Sequence, residues 1–208
     1  MLLSTPRCAG CDRPGAELCR PCRFALIAAP ITPPPAGVIV GTTFTGRVRD
    51  VLLGFKYGNR RAVSGHLAGI VVNRLVAAGV RPDLVTWAPT SSKRRQVRGF
   101  DQAELVARQV ARQFGVPCRR LLARVGAGAP QTGRGRARRL DGPTFRAHPR
   151  AVAGHVVVLD DVVTTGATLA AARRCLRDAG AAVVTAAAVA ATPATAAAPM
   201  ISETVRVA

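Results

Sequence analysis

Residues 155–191 constrain the fold more than any other stretch of the chain. "HVVVLDDVVTTGATL" (155–169) opens as an apolar run, reaches two adjacent carboxylates at Asp160 and Asp161, and breaks into small hydroxylated residues. A helical segment follows from about 166 to 179, stops at Gly180, and gives way to a second apolar run at 182–191. Strand, helix and strand with near-continuous apolar strands imply parallel pairing and burial on both faces. A unit of this kind needs covering helices and partner strands from elsewhere, so the expected fold is α/β, a parallel sheet flanked by helices.

The upstream chain can supply them. "VIVGTTF" reads as a strand, and "GRVRDVLLGFKYG" as a short helix with Val48, Val51, Leu52 and Phe55 on one face. A second helix is expected over about 60–78, and "DLVTWAP" (83–89) is a short strand entering a loop rich in Ser and Arg. "GFDQAELVARQVARQFG" is the clearest amphipathic helix, with Ala103, Val106, Ala107, Val110 and Phe114 on one face and Asp101, Gln102, Arg108, Gln109 and Arg112 opposite. Residues 124–150 lack periodicity and read as a long basic loop, and 192–208 as a tail. "AAPITPPPAG" (28–37) disfavours both helix and central strand. The expected division is therefore 1–28, a linker at 29–37, a main domain at 38–191 and the tail.

Ahead of the linker, Cys8, Cys11, Cys19 and Cys22 form C-x₂-C-x₇-C-x₂-C. Four thiolates fill the tetrahedral shell of Zn²⁺ and leave no open position, so a metal there would be structural, as in a small zinc-ribbon-like module. The alternative is a set of reactive or unpaired thiols. Cys118 and Cys175 read as small buried hydrophobes, and the three histidines lack metal or catalytic spacing. The N-terminus lacks the pattern of a signal peptide, and the alanine-rich run at 181–191 is too short to span a bilayer. A cytoplasmic protein without membrane insertion is expected.

The formal charge is +19, from thirty cations of which only Lys56 and Lys93 are lysines. Residues 93–150 carry fifteen Lys or Arg against Asp101, Glu104 and Asp141, so the partners expected are anionic: phosphorylated small molecules, nucleic acid, or both. The run "RGRARR" (134–139) fits an anion contact or a solvated face equally.

In open parallel sheets ligands bind beyond the carboxyl ends of the strands, where Asp160 and Asp161 lie. The loop Val162, Val163, Thr164, Thr165, Gly166, Ala167 and Thr168 leads into a helix, whose N-terminal N–H groups and dipole suit a phosphate. The acids repel that phosphate but accept hydrogen bonds from neighbouring hydroxyls. Together they suggest a ribose 5-phosphate moiety. The Mg²⁺-binding acid of a P-loop enzyme is excluded, because no G-x-x-x-x-G-K-[ST] loop exists.

"VVVLDDVVTTGAT" resembles the phosphoribosyl pyrophosphate (PRPP) motif of type I phosphoribosyltransferases. With "LLGFKYG" (52–58), "KRRQVRGFDQAELVARQVA" (93–111), Gln131 with its Arg-rich turn and the paired cysteines, the chain is similar to the ComF branch, whose members are linked to DNA uptake. The resemblance implies a type I phosphoribosyltransferase-like sheet, PRPP as ligand with Mg²⁺, and transfer of phosphoribosyl to an acceptor. It assigns ribose hydroxyls to Asp160 and Asp161 and the 5-phosphate to Thr164–Thr168. It assigns pyrophosphate handling to Ala88, Pro89, Thr90 and Ser91, and a mobile basic loop to Lys93, Arg94, Arg95 and Arg98. The chain departs from its relatives at Trp87-Ala88-Pro89, where "PVP" is usual, and at Asp101, where Asn is usual. Another reading keeps the fold without the chemistry: an accessory protein that binds single-stranded DNA on its arginine-rich face and zinc knot, although aromatics for stacking are few. Phe55 and Tyr57 read as core packing, and a homo-oligomer is compatible with either reading.

Overall fold

The structure is a computed structural model and describes residues 5–29, 31, 33–125, 143–148 and 154–193. Helix α1 (Arg20–Ala28) belongs to the cysteine-rich segment. There follow β1 (Val38–Thr43), α2 (Gly46–Tyr57), a 3₁₀ turn, α3 (Ser64–Ala77), β2 (Leu84–Trp87), α4 (Ser92–Arg98) and α5 (Gln102–Phe114). The chain then forms β3 (Leu122–Arg124), β4 (Phe145–Ala147), β5 (His155–Val163), α6 (Ala167–Asp178) and β6 (Val183–Ala191).

Four strands form a parallel sheet in the order β1-β6-β5-β2, and β3 and β4 pair antiparallel in a separate ribbon. The alternation of β5 divides the core in two. Val157 and Leu159 face α2, α3 and α5, whereas Val156 and Val158 face α6 and the ribbon. Alanines of β6 alternate in the same way, Ala187 to one side and Ala186 and Ala188 to the other. Small side chains let helices lie close on both faces, so burial comes from tight aliphatic packing and not from aromatic bulk. Leu52, Phe55, Leu67, Leu75, Val106, Val110 and Leu169 are all fully enclosed.

The cysteine segment does not hang free of this core. Cys8, Ala9, Leu18, Cys22 and Leu26 pack in the same cluster as Val51 and Phe55 of α2. At Gly54 a Cβ would overlap the carbonyl oxygen of Ala9, so helix and segment touch backbone to backbone. Asp12 accepts from Arg60 at 2.7 Å, and Arg47 donates to Cys22 Sγ at 3.8 Å.

Several local expectations change. Residues 92–98 are a helix and not a loop: Ser91 Oγ accepts from Arg94 N–H at its start, and Gly99 closes it at φ 74°. Asp101 and Gln102, expected on the polar face of α5, are buried, because Asp101 is the N-cap and its carboxylate is consumed by backbone donors. Strand β5 runs on through Val162 and Val163, so these two residues are strand where a loop was expected. Both ends of the expected 124–150 loop are strands; Gln131, "RGRARR" and the tail beyond Pro193 lie outside the described residues. Cys118 and Cys175 are half-buried. Tyr57 is 63% exposed, not core.

Candidate functional site

A cavity of about 420 Å³ opens at the carboxyl end of β5. Parallel pairing puts the ends of β2 and β5 side by side: Trp87 is in register with Leu159, and Ala88 N–H donates to Leu159 C=O at 2.9 Å. The 88–91 segment therefore emerges beside Asp160. Of the residues expected at the site, Asp160, Asp161, Val162, Thr164 and Thr168 line the cavity together with Thr90, Arg94 and Arg98. Val163, Thr165, Gly166 and Ala167 shape the turn behind it, and Ala88, Pro89, Ser91, Lys93 and Arg95 flank it without lining it.

The turn into α6 depends on Gly166, which sits at φ +81°, and the Cβ it lacks would come within 2.9 Å of Pro35 Cβ. Part of the Pro-rich connector thus buttresses this turn. Helix α6 has no side-chain cap from Gly166; Thr165 Oγ1 accepts from Ala167 N–H at 3.4 Å, and the remaining first-turn donors suit an anion.

The acids are held by the backbone around them. Asp161 N–H donates to Asp160 Oδ1 at 2.8 Å, and Val162 N–H donates to Asp161 Oδ1 at 2.7 Å. Burial pushes Asp160 well above the usual carboxylate range, and the neighbouring Asp161 carboxylate adds to it. Although protein crowds Asp160, part of its surface is still exposed at the cavity.

Five further cavity residues were not expected there from the sequence: Lys56, Asp101, Gln102, Ala103 and Arg124. Lys56 Nζ lies 3.0 Å from Asp161 Oδ2. Asp101 accepts from Ala103 N–H at 3.1 Å and from Thr90 N–H at 2.9 Å, tying the 88–91 segment to α5. Desolvation raises its pKa, an effect the Thr90 donor opposes. Gln102 accepts from Arg98 Nη1 at 3.0 Å, and Arg98 Nη2 donates to Tyr57 OH at 2.9 Å while its guanidinium stacks 4.9 Å from the Tyr57 ring centroid. Burial lowers the pKa of Arg124, and the nearby Arg94 charge lowers it further. Two guanidiniums that repel each other in a cavity are relieved by an anion between them. The available signals were faint: "KYG" and the helix start "FDQ" are short, and Arg124 stands in a strand of three residues.

Away from the cavity, the Sγ atoms of Cys8, Cys11, Cys19 and Cys22 lie within 4.8 Å of one another. Tetrahedral zinc with bonds of about 2.3 Å requires sulfur separations of roughly 3.8 Å, so the four thiols fit a structural Zn²⁺. Burial opposes ionisation of Cys8, but backbone N–H groups of Cys19, Cys11 and Gly10 bring its pKa to about 6. Burial pushes Cys22 up to about 12.

Residues 101–205 match the model of the phosphoribosyl transferase domain. The chain belongs to that family. Within the type I phosphoribosyltransferase superfamily it is ComF-like, and it is 30% identical over 187 residues to the DNA utilization protein YhgH of Salmonella typhimurium, covering 85% of this chain and 80% of that one. YhgH of Escherichia coli K12 is 27% identical over 188 residues, with the same coverage. Among solved structures, this phosphoribosyl transferase domain is similar to the glutamine PRPP amidotransferase of B. subtilis complexed with ADP and GMP, at 24% identity and a TM-score of 0.43. The match covers 62% of this chain and 26% of the amidotransferase, about a quarter of its length. It is also similar to the purine phosphoribosyltransferase of Pyrococcus horikoshii, at 18% identity and a TM-score of 0.41, over 65% and 77% of the two chains. Among the described residues no helix is long and apolar enough to cross a membrane.

Proposed function

We propose that the cavity binds PRPP with Mg²⁺. The observation that carries this reading is that one cavity is lined by both chemistries: Asp160 and Asp161 with Thr164 and Thr168 of the turn, and Arg94, Arg98 and Arg124. The carboxylates suit the ribose hydroxyls, the turn and the α6 N-terminus suit the 5-phosphate, and the arginines suit pyrophosphate. Thr90, fixed by Asp101, would present backbone to the pyrophosphate.

Transfer would break the C1–O bond to pyrophosphate, form a bond from C1 to an acceptor, and release the acceptor's proton. Asp160 and Asp161 would help to hold Mg²⁺ brought in with the ligand, and the ion would supply charge neutralisation for the departing pyrophosphate. The arginines do the same from the protein side, and the acids fix the sugar so that C1 faces the opening. A structural Zn²⁺ on the four cysteines, a cytoplasmic setting and the division into residues 1–28, 29–37, 38–191 and 192–208 complete the reading.

Calorimetric titration of PRPP with Mg²⁺ tests it. Wild type is expected to bind, and Asp160→Asn/Asp161→Asn to lose about tenfold or more in affinity, the scale of a charged hydrogen bond. Equal or absent binding in both proteins refutes it. Likeness to the DNA utilization protein YhgH supports a second reading, a role in handling DNA, in which the arginines would contact single strands. Its signature is an affinity that falls steeply with salt.

A further inference from the structure

The acid pair of the cavity already holds a cation. Lys56 Nζ contacts Asp161 Oδ2, and the two side chains are only 13% and 14% exposed. Asp161 Oδ1 is taken by Val162 N–H, so Lys56 occupies the oxygen that the backbone leaves over. Its place is fixed from several directions. It is the next-to-last residue of α2, where the helix dipole favours a cation, and Nζ lies 5.9 Å from the Phe44 ring centroid. Two residues earlier, Gly54 lies backbone to backbone on Ala9, and just past the helix Arg60 pairs with Asp12. The cysteine segment therefore contacts the chain on both sides of Lys56, at Gly54 within α2 and at Arg60 just beyond it.

We propose that Lys56 is a resident counter-ion, which occupies Asp161 until a sugar pyrophosphate brings its own divalent cation. The proposal rests on the PRPP reading of the cavity. Two adjacent carboxylates without a counter-ion attract divalent ions from solution, whereas an ammonium on Asp161 repels them. Metal and ligand then enter together, and the displaced ammonium is left beside an anionic ligand.

Mn²⁺ is the probe, titrated by electron paramagnetic resonance into the full chain purified with zinc, first alone and then with PRPP. Without PRPP, Lys56→Met is expected to bind Mn²⁺ at least about tenfold more tightly than wild type, because a unit charge within a few ångströms of the site is removed. Lys56→Arg should behave as wild type, and adding Asp161→Asn to Lys56→Met should abolish the gain. Lys56→Gln serves equally if the methionine variant does not fold. Folded Lys56 variants that bind Mn²⁺ no better than wild type, or a gain that survives Asp161→Asn, overturn the proposal. Failure of wild type to bind PRPP refutes the reading of the cavity instead, and the Mn²⁺ series judges Lys56 independently of it.

Discussion

Gly54→Ala sets two effects of opposite sign against each other. Gly54 lies inside α2, where alanine gains about 1 kcal/mol in helix propensity. The new Cβ, however, would overlap the Ala9 carbonyl oxygen and sit 2.9 Å from its carbon. Both sides of that contact are backbone, so neither can rotate away, and overpacking of this kind costs about 1–3 kcal/mol, here near the upper end. The net expectation is a loss of about 1–2 kcal/mol, or a melting temperature lower by about 2–8 °C for a chain of this size. Gly69→Ala is the control: it lies inside α3, a Cβ added there would meet nothing within 4 Å, and only the propensity gain acts. Denaturant unfolding of the three proteins should order them Gly69→Ala above wild type above Gly54→Ala. Because the contact joins α2 to the cysteine segment, Gly54→Ala should also surrender zinc faster to a chelator. If Gly54→Ala is as stable as Gly69→Ala and holds its zinc as well as wild type, the backbone contact does not clamp the two parts together.

Gly166→Ala should cost about 1–2 kcal/mol, since it forces a side chain into the left-handed region against Pro35; melting curves and ribose 5-phosphate titration would show both the loss and weaker phosphate binding. The raised pKa of Asp160 means that the folded state holds its proton more tightly than the unfolded state, whose value is about 3.9. Stability should therefore fall as pH rises from the unfolded value through the folded one, and Asp160→Asn should remove that part of the loss and be the more stable protein at neutral pH. Unfolding measured across pH with an unchanged slope in the variant would contradict this.

By itself the sequence determined the strand–turn–helix at 155–179, because the apolar period, the paired acids and the small residues of the turn are all local. It determined the cysteine spacing for the same reason, and the sites of Asp160, Asp161 and Thr164–Thr168 could be named at once. It left 92–98 looking like loop, since seven residues with no buried face carry no periodic signal and depend on the Ser91 and Gly99 caps. Only the tertiary structure decided which distant residues meet the acids. Lys56 arrives on α2, Asp101 and Gln102 on the first turn of α5, and Arg124 on a short strand; parallel pairing of β2 with β5 and packing of the helices on the sheet bring them to one cavity. Periodicity tells a residue which face to turn inward, but not which distant residue it will meet there. The cysteine segment makes the same point: its spacing suggested a metal site, and only its packing on α2 sets those four thiols against the helix that carries Lys56.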